Sequence, residues 1–363
     1  MVEWKILGEV CTSNRGVRVI KKELSQIGEF PVIQNSLIPM GYYHKSNYNN
    51  TPFVITAGAA GEVGFADAPF WAADDCLCLL CNSEILPKYV YIWLQEKQFS
   101  LKSQVRKGAI PRLSRTVVER LNIPIPPLSE QNRIVGILDT FTESIENIKK
   151  QIQLRKKQYE YYREMLLCFS ENENVMFKPL KEIAKSFCTG ATPKKGHLEY
   201  YEGGTIPWLR TQDIKFNEIY KVYTFVTKVA VEKTGIKWIP ANCVIVAISG
   251  ATAGRCAINK IPTTTNQHCL NLEIDANKAL YKYVFYCVYN AYYEMISKKQ
   301  GARGDLNTSI ILGIKIPVPP LSEQSRIVSI LDQFESSISN LEQQLSQRQK
   351  QYEYYRNKLL TFE

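Results

Sequence analysis

The sequence predicts an α+β protein: two β-rich α/β globules joined by two long helices. An internal repeat, the periodicity inside it, and short β-prone runs between its copies carry that expectation. Residues 123–169 and 316–362 align without a gap at an offset of 193, with 30 of 47 positions identical. The chain is two concatenated halves. Its 363 residues exceed a single core of roughly 250. With 45% hydrophobic and 22% charged residues it should fold.

Each repeat reads as one helix. Pro126-Pro127 and Pro319-Pro320 block helix upstream, Ser129 and Ser322 stand at the expected N-cap, and Glu130 and Glu323 follow in the first turn, where the helix dipole favours negative charge. Apolar positions then alternate by four and three: Ile134, Leu138, Phe141, Ile145, Ile148, Ile152, Tyr159, Tyr162 and Leu166, with Arg155 as the break. The second copy gives Ile327, Leu331, Phe334, Ile338, Leu341, Leu345, Tyr352, Tyr355 and Leu359, with Arg348 as the break. This is a coiled-coil seam, and two such helices in one chain most economically pack on each other. About 39 residues make a helix about 58 Å long.

Residues 1–122 and 171–315 differ from each other but share short strand-like runs, such as Phe53-Val-Ile-Thr56 and Cys243-Val-Ile-Val-Ala-Ile248, between Gly, Asn and Pro turns. The expected order is therefore globule 1–122, helical segment 123–170, globule 171–315, helical segment 316–363. Near-identical helices with divergent globules point to a fixed scaffold carrying two variable readers.

The start, Met1-Val-Glu-Trp-Lys5, does not look like a signal peptide, and apolar runs such as Val244 to Ile248 are too short for a bilayer. A soluble, cytoplasmic protein with no membrane partner is expected. Of ten cysteines, Cys76, Cys78 and Cys81 hint at zinc, but no second ligand pair accompanies them, and alternation suits buried thiols on a strand. No metal is expected.

The net charge of +10 lies on the globules. Residues 1–122 carry 14 basic against 11 acidic side chains and residues 171–315 carry 19 against 12, whereas the helical segments are close to neutral. A polyanion should meet the globules, not the coiled coil. Lys102, Arg106, Lys107, Arg112 and Arg115 form an acid-free run around Gly108 and Pro111, expected as a phosphate-contacting loop, with Lys298, Lys299 and Arg303 at the matching place. Arg15, Arg18, Lys21, Lys194 and Lys195 are further cationic candidates. Side chains able to bond base edges near turns are Asn35, Lys45 and Asn47 in the first globule, and Arg210, Gln212, Arg255, Asn266 and Gln267 in the second. Tyr161 and Tyr354 fall on the outward helix face and are candidates for a protein partner.

Catalytic patterns are missing. There is no Gly-x4-Gly-Lys-[Ser/Thr] loop; Gly250-Ala-Thr-Ala-Gly254 has the wrong spacing and reads as a turn after a strand. No Asn-Pro or Pro-Asp dipeptide supports a methyltransferase or a familiar nuclease motif. Three scattered histidines give acid–base chemistry little to build on.

These residues resemble a known family. Ile123-Pro-Ile-Pro-Pro-Leu-Ser-Glu-Gln131 and Ile316-Pro-Val-Pro-Pro-Leu-Ser-Glu-Gln324, with Gly301-Ala-Arg-Gly-Asp-Leu306 and Ile206-Pro-Trp-Leu-Arg-Thr-Gln-Asp-Ile214, are similar to motifs of Type I restriction-modification specificity subunits. The resemblance implies two target recognition domains reading a bipartite duplex target on an antiparallel coiled coil. It also implies two modification (methyltransferase) subunits docked there and restriction (translocase-nuclease) subunits joining them. S-adenosylmethionine, ATP and Mg would belong to those partners, and this chain would hold no cofactor and catalyse nothing. A specificity subunit serving a fused methyltransferase-nuclease, or a coiled-coil adaptor without DNA, are the alternatives.

Overall fold

The computed structural model describes residues 2–170, 175–299 and 305–362. The chain forms two compact units, residues 1–150 with 342–363 and residues 151–341, so the division falls inside both long helices. The helices are Leu128–Leu167 and Leu321–Leu359.

Unit 1 opens with Glu3–Ile6 paired antiparallel to Asn122–Ile125, which ties the start of the chain to the approach to the first long helix. A four-stranded antiparallel sheet runs Cys11–Arg15, Cys76–Cys81, Thr51–Ile55, Val63–Ala66. The buried thiols expected at Cys76 and Cys78 lie on its second strand, 0% exposed. A second sheet runs Tyr42–Tyr43, Phe30–Ile33, Trp71–Ala72, its last pair parallel. The helix Pro87–Glu96 buries Tyr89, Val90, Ile92, Trp93 and Leu94 in one core with Ile134 and Leu138 of the first long helix and Leu360.

Unit 2 repeats the plan with more strands. Met176–Pro179 pairs with Lys315–Val318. A five-stranded sheet runs Ala184–Thr189, Cys269–Ile274, Val244–Ala247, Cys256–Asn259, Asn217–Ile219. A four-stranded sheet runs Phe225–Val226, Ile206–Leu209, Thr263–Thr265, Trp238–Ile239. The helix Tyr281–Asn290 packs with Tyr159, Leu167, Ile327 and Leu331. After Val244–Ala247 the chain turns through Gly250 (φ +71°) and Gly254 (φ +88°), the expected turn after a strand.

Inside each unit the early part of one long helix packs on the late part of the other, so the pair is antiparallel. In unit 1 Phe141 stacks on Tyr355 at 5.2 Å, and in unit 2 Phe334 stacks on Tyr162 at 5.3 Å. The seam breaks are filled by cation–π contacts: Arg348 over Phe141 at 5.5 Å and Arg155 over Phe334 at 5.7 Å.

One expectation is corrected. The helices begin at Leu128 and Leu321, one residue before the serines, so Ser129 and Ser322 do not cap them. The proline carbonyls do: Pro127 O accepts from the Glu130 and Gln131 N–H groups at 2.8 and 3.1 Å, and Pro320 O from Glu323 and Gln324 at 2.9 and 3.0 Å. Among the described residues no helix is long and apolar enough to cross a membrane.

Candidate nucleic-acid interface

Each reader is fixed to its helix by a buried glutamine from the Pro-Leu-Ser-Glu-Gln signature. Gln131 is 0% exposed. Its Oε1 accepts from the Leu86 N–H at 2.8 Å, and its Nε2 donates to the carbonyls of Glu84 and Pro126, both at 2.9 Å. Gln324 repeats this with Leu280 N–H at 2.9 Å, Pro319 O at 2.8 Å and Lys278 O at 3.4 Å. A lysine follows in both reader helices: Lys88 lies 3.0 Å from Asp139 and Lys282 lies 3.0 Å from Asp332. A buried amide with all its bonds made is costly to break, which suits a joint that must hold a reader at one angle.

In unit 1, Arg15, Arg106, Lys107 and Arg112 line one open groove of about 360 Å³ with Gly108, Ile110, Leu113 and Ser114. Arg106 and Arg112 face each other across a hairpin, exchanging backbone bonds of 2.9 and 3.2 Å. The Gly58 N–H bonds Pro111 O and the Leu113 N–H bonds Thr56 O, lacing this hairpin to the end of Thr51–Ile55. Like charges opposite one another oppose folding. Among the described residues no carboxylate pairs with any of the four cations.

The acid-free run is not all loop. Lys102 sits on the helix Gln98–Ser103 and pairs with Glu62 at 3.7 Å, and Arg115 opens the helix Arg115–Glu119 and pairs with Glu119 at 2.7 Å. Arg18, Lys21 and Lys45 are exposed but do not line the groove. Asn35 is exposed where the chain leaves Phe30–Ile33. Asn47 is corrected to a structural amide, its two side-chain atoms bonding Ala72 N–H and O at 2.7 and 2.9 Å.

In unit 2, Arg210, Asn266 and Gln267 come together because Ile206–Leu209 and Thr263–Thr265 run parallel and end side by side. Arg210 is half-buried and its Nε has no partner among the described residues. Gln267 is exposed, accepts from the Thr192 hydroxyl and lies 3.1 Å from His268 Nε2. Asn266 is corrected: it is 8% exposed and its Oδ1 accepts from the His268 N–H at 3.1 Å, forming the turn. Gln212 is exposed on the turn Thr211–Asp213, and Arg255 is half-buried beside Gly254. Lys194 and Lys195 are exposed, Lys299 is half-buried, and Lys298, just past the helix Tyr292–Ser297, pairs with Glu294. Arg303 lies outside the described residues, as does most of the segment before Leu306. Tyr161 and Tyr354 are 63% and 60% exposed, each edge-on to its neighbouring seam tyrosine, Tyr162 or Tyr355.

Two polar residues escaped the sequence reading. Gln34 follows Phe30–Ile33 and its Nε2 donates to Asp74 Oδ1 at 3.4 Å. The signal lay in the likeness of Phe30-Pro-Val-Ile33 to Ile206-Pro-Trp-Leu209, which places Gln34 level with Arg210.

The comparisons agree with this doubled architecture. The family model "Type I restriction modification DNA specificity domain" matches residues 1–156 and again 172–350. The specificity subunit of the type I restriction enzyme EcoR124I/EcoR124II of Escherichia coli is 30% identical, over 99% of this chain and 94% of its own. The S subunit of a Type I restriction-modification system from M. genitalium superposes with a TM-score of 0.70 at 18% identity, covering 100% of this chain and 97% of that one. A chain from a structure on assembly and conformational transition of the type I system gives 0.60 at 16% identity, covering 99% and 96%. The chain belongs to the Type I restriction-modification DNA specificity family, the non-catalytic DNA-recognition subunits of those systems.

Proposed function

We propose that each unit carries a target recognition domain, within residues 1–122 and 171–315, that reads one half of a bipartite duplex target. The long helices set the separation of the two readers and present two modification subunits to the DNA, with restriction subunits joining that complex. Tyr161 and Tyr354 fit the modification-subunit contact, because an exposed aromatic at the same place in both repeats is costly in water and useful in an interface. S-adenosylmethionine, ATP and Mg are assigned to the partners.

The observation that carries the DNA reading is the groove of Arg15, Arg106, Lys107 and Arg112, which gathers four cations with no internal counter-charge among the described residues. Its test is salt dependence. In the assembled methyltransferase, Arg106→Ala with Lys107→Ala should weaken duplex binding and lower the slope of log K against log salt by about 0.9 per lost phosphate contact. An unchanged slope removes the phosphate role of this groove.

A further inference from the structure

The two readers differ in sequence, but their backbones supply an internal register that identifies equivalent positions. In unit 1, Phe30–Ile33 runs parallel to Trp71–Ala72, with Ile33 opposite Ala72. In unit 2, Ile206–Leu209 runs parallel to Thr263–Thr265, with Leu209 opposite Thr265. A glycine presses on the second strand in each case. A Cβ on Gly16 would lie 2.2 Å from Ala72 O, and one on Gly190 would lie 1.9 Å from Thr265 O, so only glycine fits. The next residue donates to the same carbonyl: Val17 N–H to Ala72 O at 2.9 Å, Ala191 N–H to Thr265 O at 3.1 Å. One residue on, Ala73 N–H bonds Ile33 O at 2.8 Å and Asn266 N–H bonds Leu209 O at 3.0 Å. The equivalence is therefore fixed by backbone bonds: Gln34 corresponds to Arg210, and Asp74 to Gln267.

These are the residues that leave the carboxyl ends of the paired strands. In unit 1 they adjoin the cationic groove. Arg15, which lines it, precedes Gly16, and Asn35 O accepts from the Ala59 N–H beside Gly58, whose own N–H holds Pro111 of the hairpin. Cations that bind phosphate thus flank a carboxylate and an amide that cannot serve the same purpose. Asp74 would repel a phosphate, but it accepts well from the amino group of cytosine or adenine. Gln34, with one N–H given to Asp74, keeps an acceptor and a donor on one amide, the pair that adenine N7 and N6 complement. In unit 2 the same places hold a guanidinium, the fork that matches guanine O6 and N7, and a second amide. The buried Arg210 Nε, without a partner among the described residues, marks a polar group open to a further bond.

Resting on the reading above, we propose that Gln34 with Asp74, and Arg210 with Gln267, are the base-reading positions of the two units. Unit 1 then selects a base carrying an amino group, and unit 2 selects guanine. The test uses the full chain assembled with its modification subunit and a panel of duplexes in which each base pair of the methylation motif is changed singly. In the wild type a single change in either half-site should cost about tenfold or more in affinity. Asp74→Ala and Gln34→Ala should flatten discrimination at a position in one half-site to about onefold and leave the other half-site untouched; Arg210→Ala and Gln267→Ala should do the reverse, with guanine the base no longer preferred. Asp74→Asn and Gln267→Glu keep the side-chain shape and should change which base is preferred, covering the case in which an alanine variant fails to assemble. Variants that discriminate every position as the wild type does, or that flatten both half-sites alike, overturn the assignment. A wild-type complex that shows no half-sites at all strikes the function proposed above instead.

Discussion

Gln131 and Gln324 keep the same three kinds of partner in the two units, whereas Arg356 and Arg163, also 193 residues apart, do not. In unit 1 Arg356 Nε donates to Glu96 Oε2 at 3.0 Å. In unit 2 Asn290 ends the reader helix where Glu96 ends it in unit 1. Arg163 there is 8% exposed, its Nε and Nη1 have no partner among the described residues, and its guanidinium lies 4.0 Å from the centre of the Tyr289 ring. The contrast separates two kinds of contact. The glutamine joint ties a fully buried side chain to one backbone N–H and two carbonyls, so substitution removes three bonds at once. The arginine contact is one polar pair on the helix flank, and an aromatic face substitutes for a carboxylate there. A scaffold serving two different readers needs the first kind to be uniform and tolerates drift in the second.

The largest expected effect breaks the uniform joint. Gln131→Ala or Gln324→Ala should each cost about 1–3 kcal/mol by leaving one backbone N–H and two carbonyls short of partners. Denaturant unfolding would measure the loss, and amide exchange at Leu86 and Leu280 should accelerate in the affected unit. Near-neutral substitutions would mean that the joint is not what holds the readers.

A smaller effect sharpens the drifting contact. Glu96→Asn should destabilise unit 1 by about 1 kcal/mol, and Asn290→Glu should stabilise unit 2 by a similar amount, by giving Arg163 the partner that Arg356 has. Thermal unfolding of both variants decides it; destabilisation by Asn290→Glu would show that the Tyr289 face already serves Arg163 fully.

The smallest effect is in pH dependence. Tyr159 hydroxyl donates to Glu335 Oε1 at 3.0 Å, where the unit 1 counterpart Tyr352 meets Gln95 Oε1 at 3.4 Å. Burial pushes the Glu335 carboxyl above the usual carboxylate range, against the opposing bond from Tyr159 and the charge of Lys282. The folded chain then holds this proton more tightly than the unfolded chain. Its stabilising contribution is full below the unfolded value of about 4.3 and is lost as pH rises through the raised folded value. Glu335→Gln should remove that loss, so the variant gains on the wild type as pH rises from about 4 toward neutrality. A difference in stability that does not change with pH would contradict the assigned shift.

What the sequence made legible follows from the same contrast. The helices and their seam were readable because apolar spacing is a local property repeated twice. Their caps were misplaced by two residues, because Pro127 and Pro320, not the serines, precede the first helical residue and their carbonyls accept the first helical bonds. The acid-free run was readable as charge. That Lys102 and Arg115 are engaged while Arg106, Lys107 and Arg112 line a groove depends on Glu62 and Glu119, which the run itself does not contain. Gln34 and Asp74 meet across 40 positions of chain, through a strand pairing that two- and four-residue strands announce weakly. Asn266 looked like a base-reading amide, and its burial in a turn shows only once Thr263–Thr265 is placed beside Ile206–Leu209.

The chain is one device written twice: a reader fixed to a helix whose seam complements its near-twin. The most direct test is a fragment of residues 1–169 expressed with the modification subunit, followed by sequencing of methylated sites. Two copies of the fragment should pair through residues 128–167 and direct methylation to a symmetric, interrupted palindrome built from the half-site of the first reader. A strictly monomeric fragment without methylation, or an asymmetric motif, would contradict the equivalence of the halves.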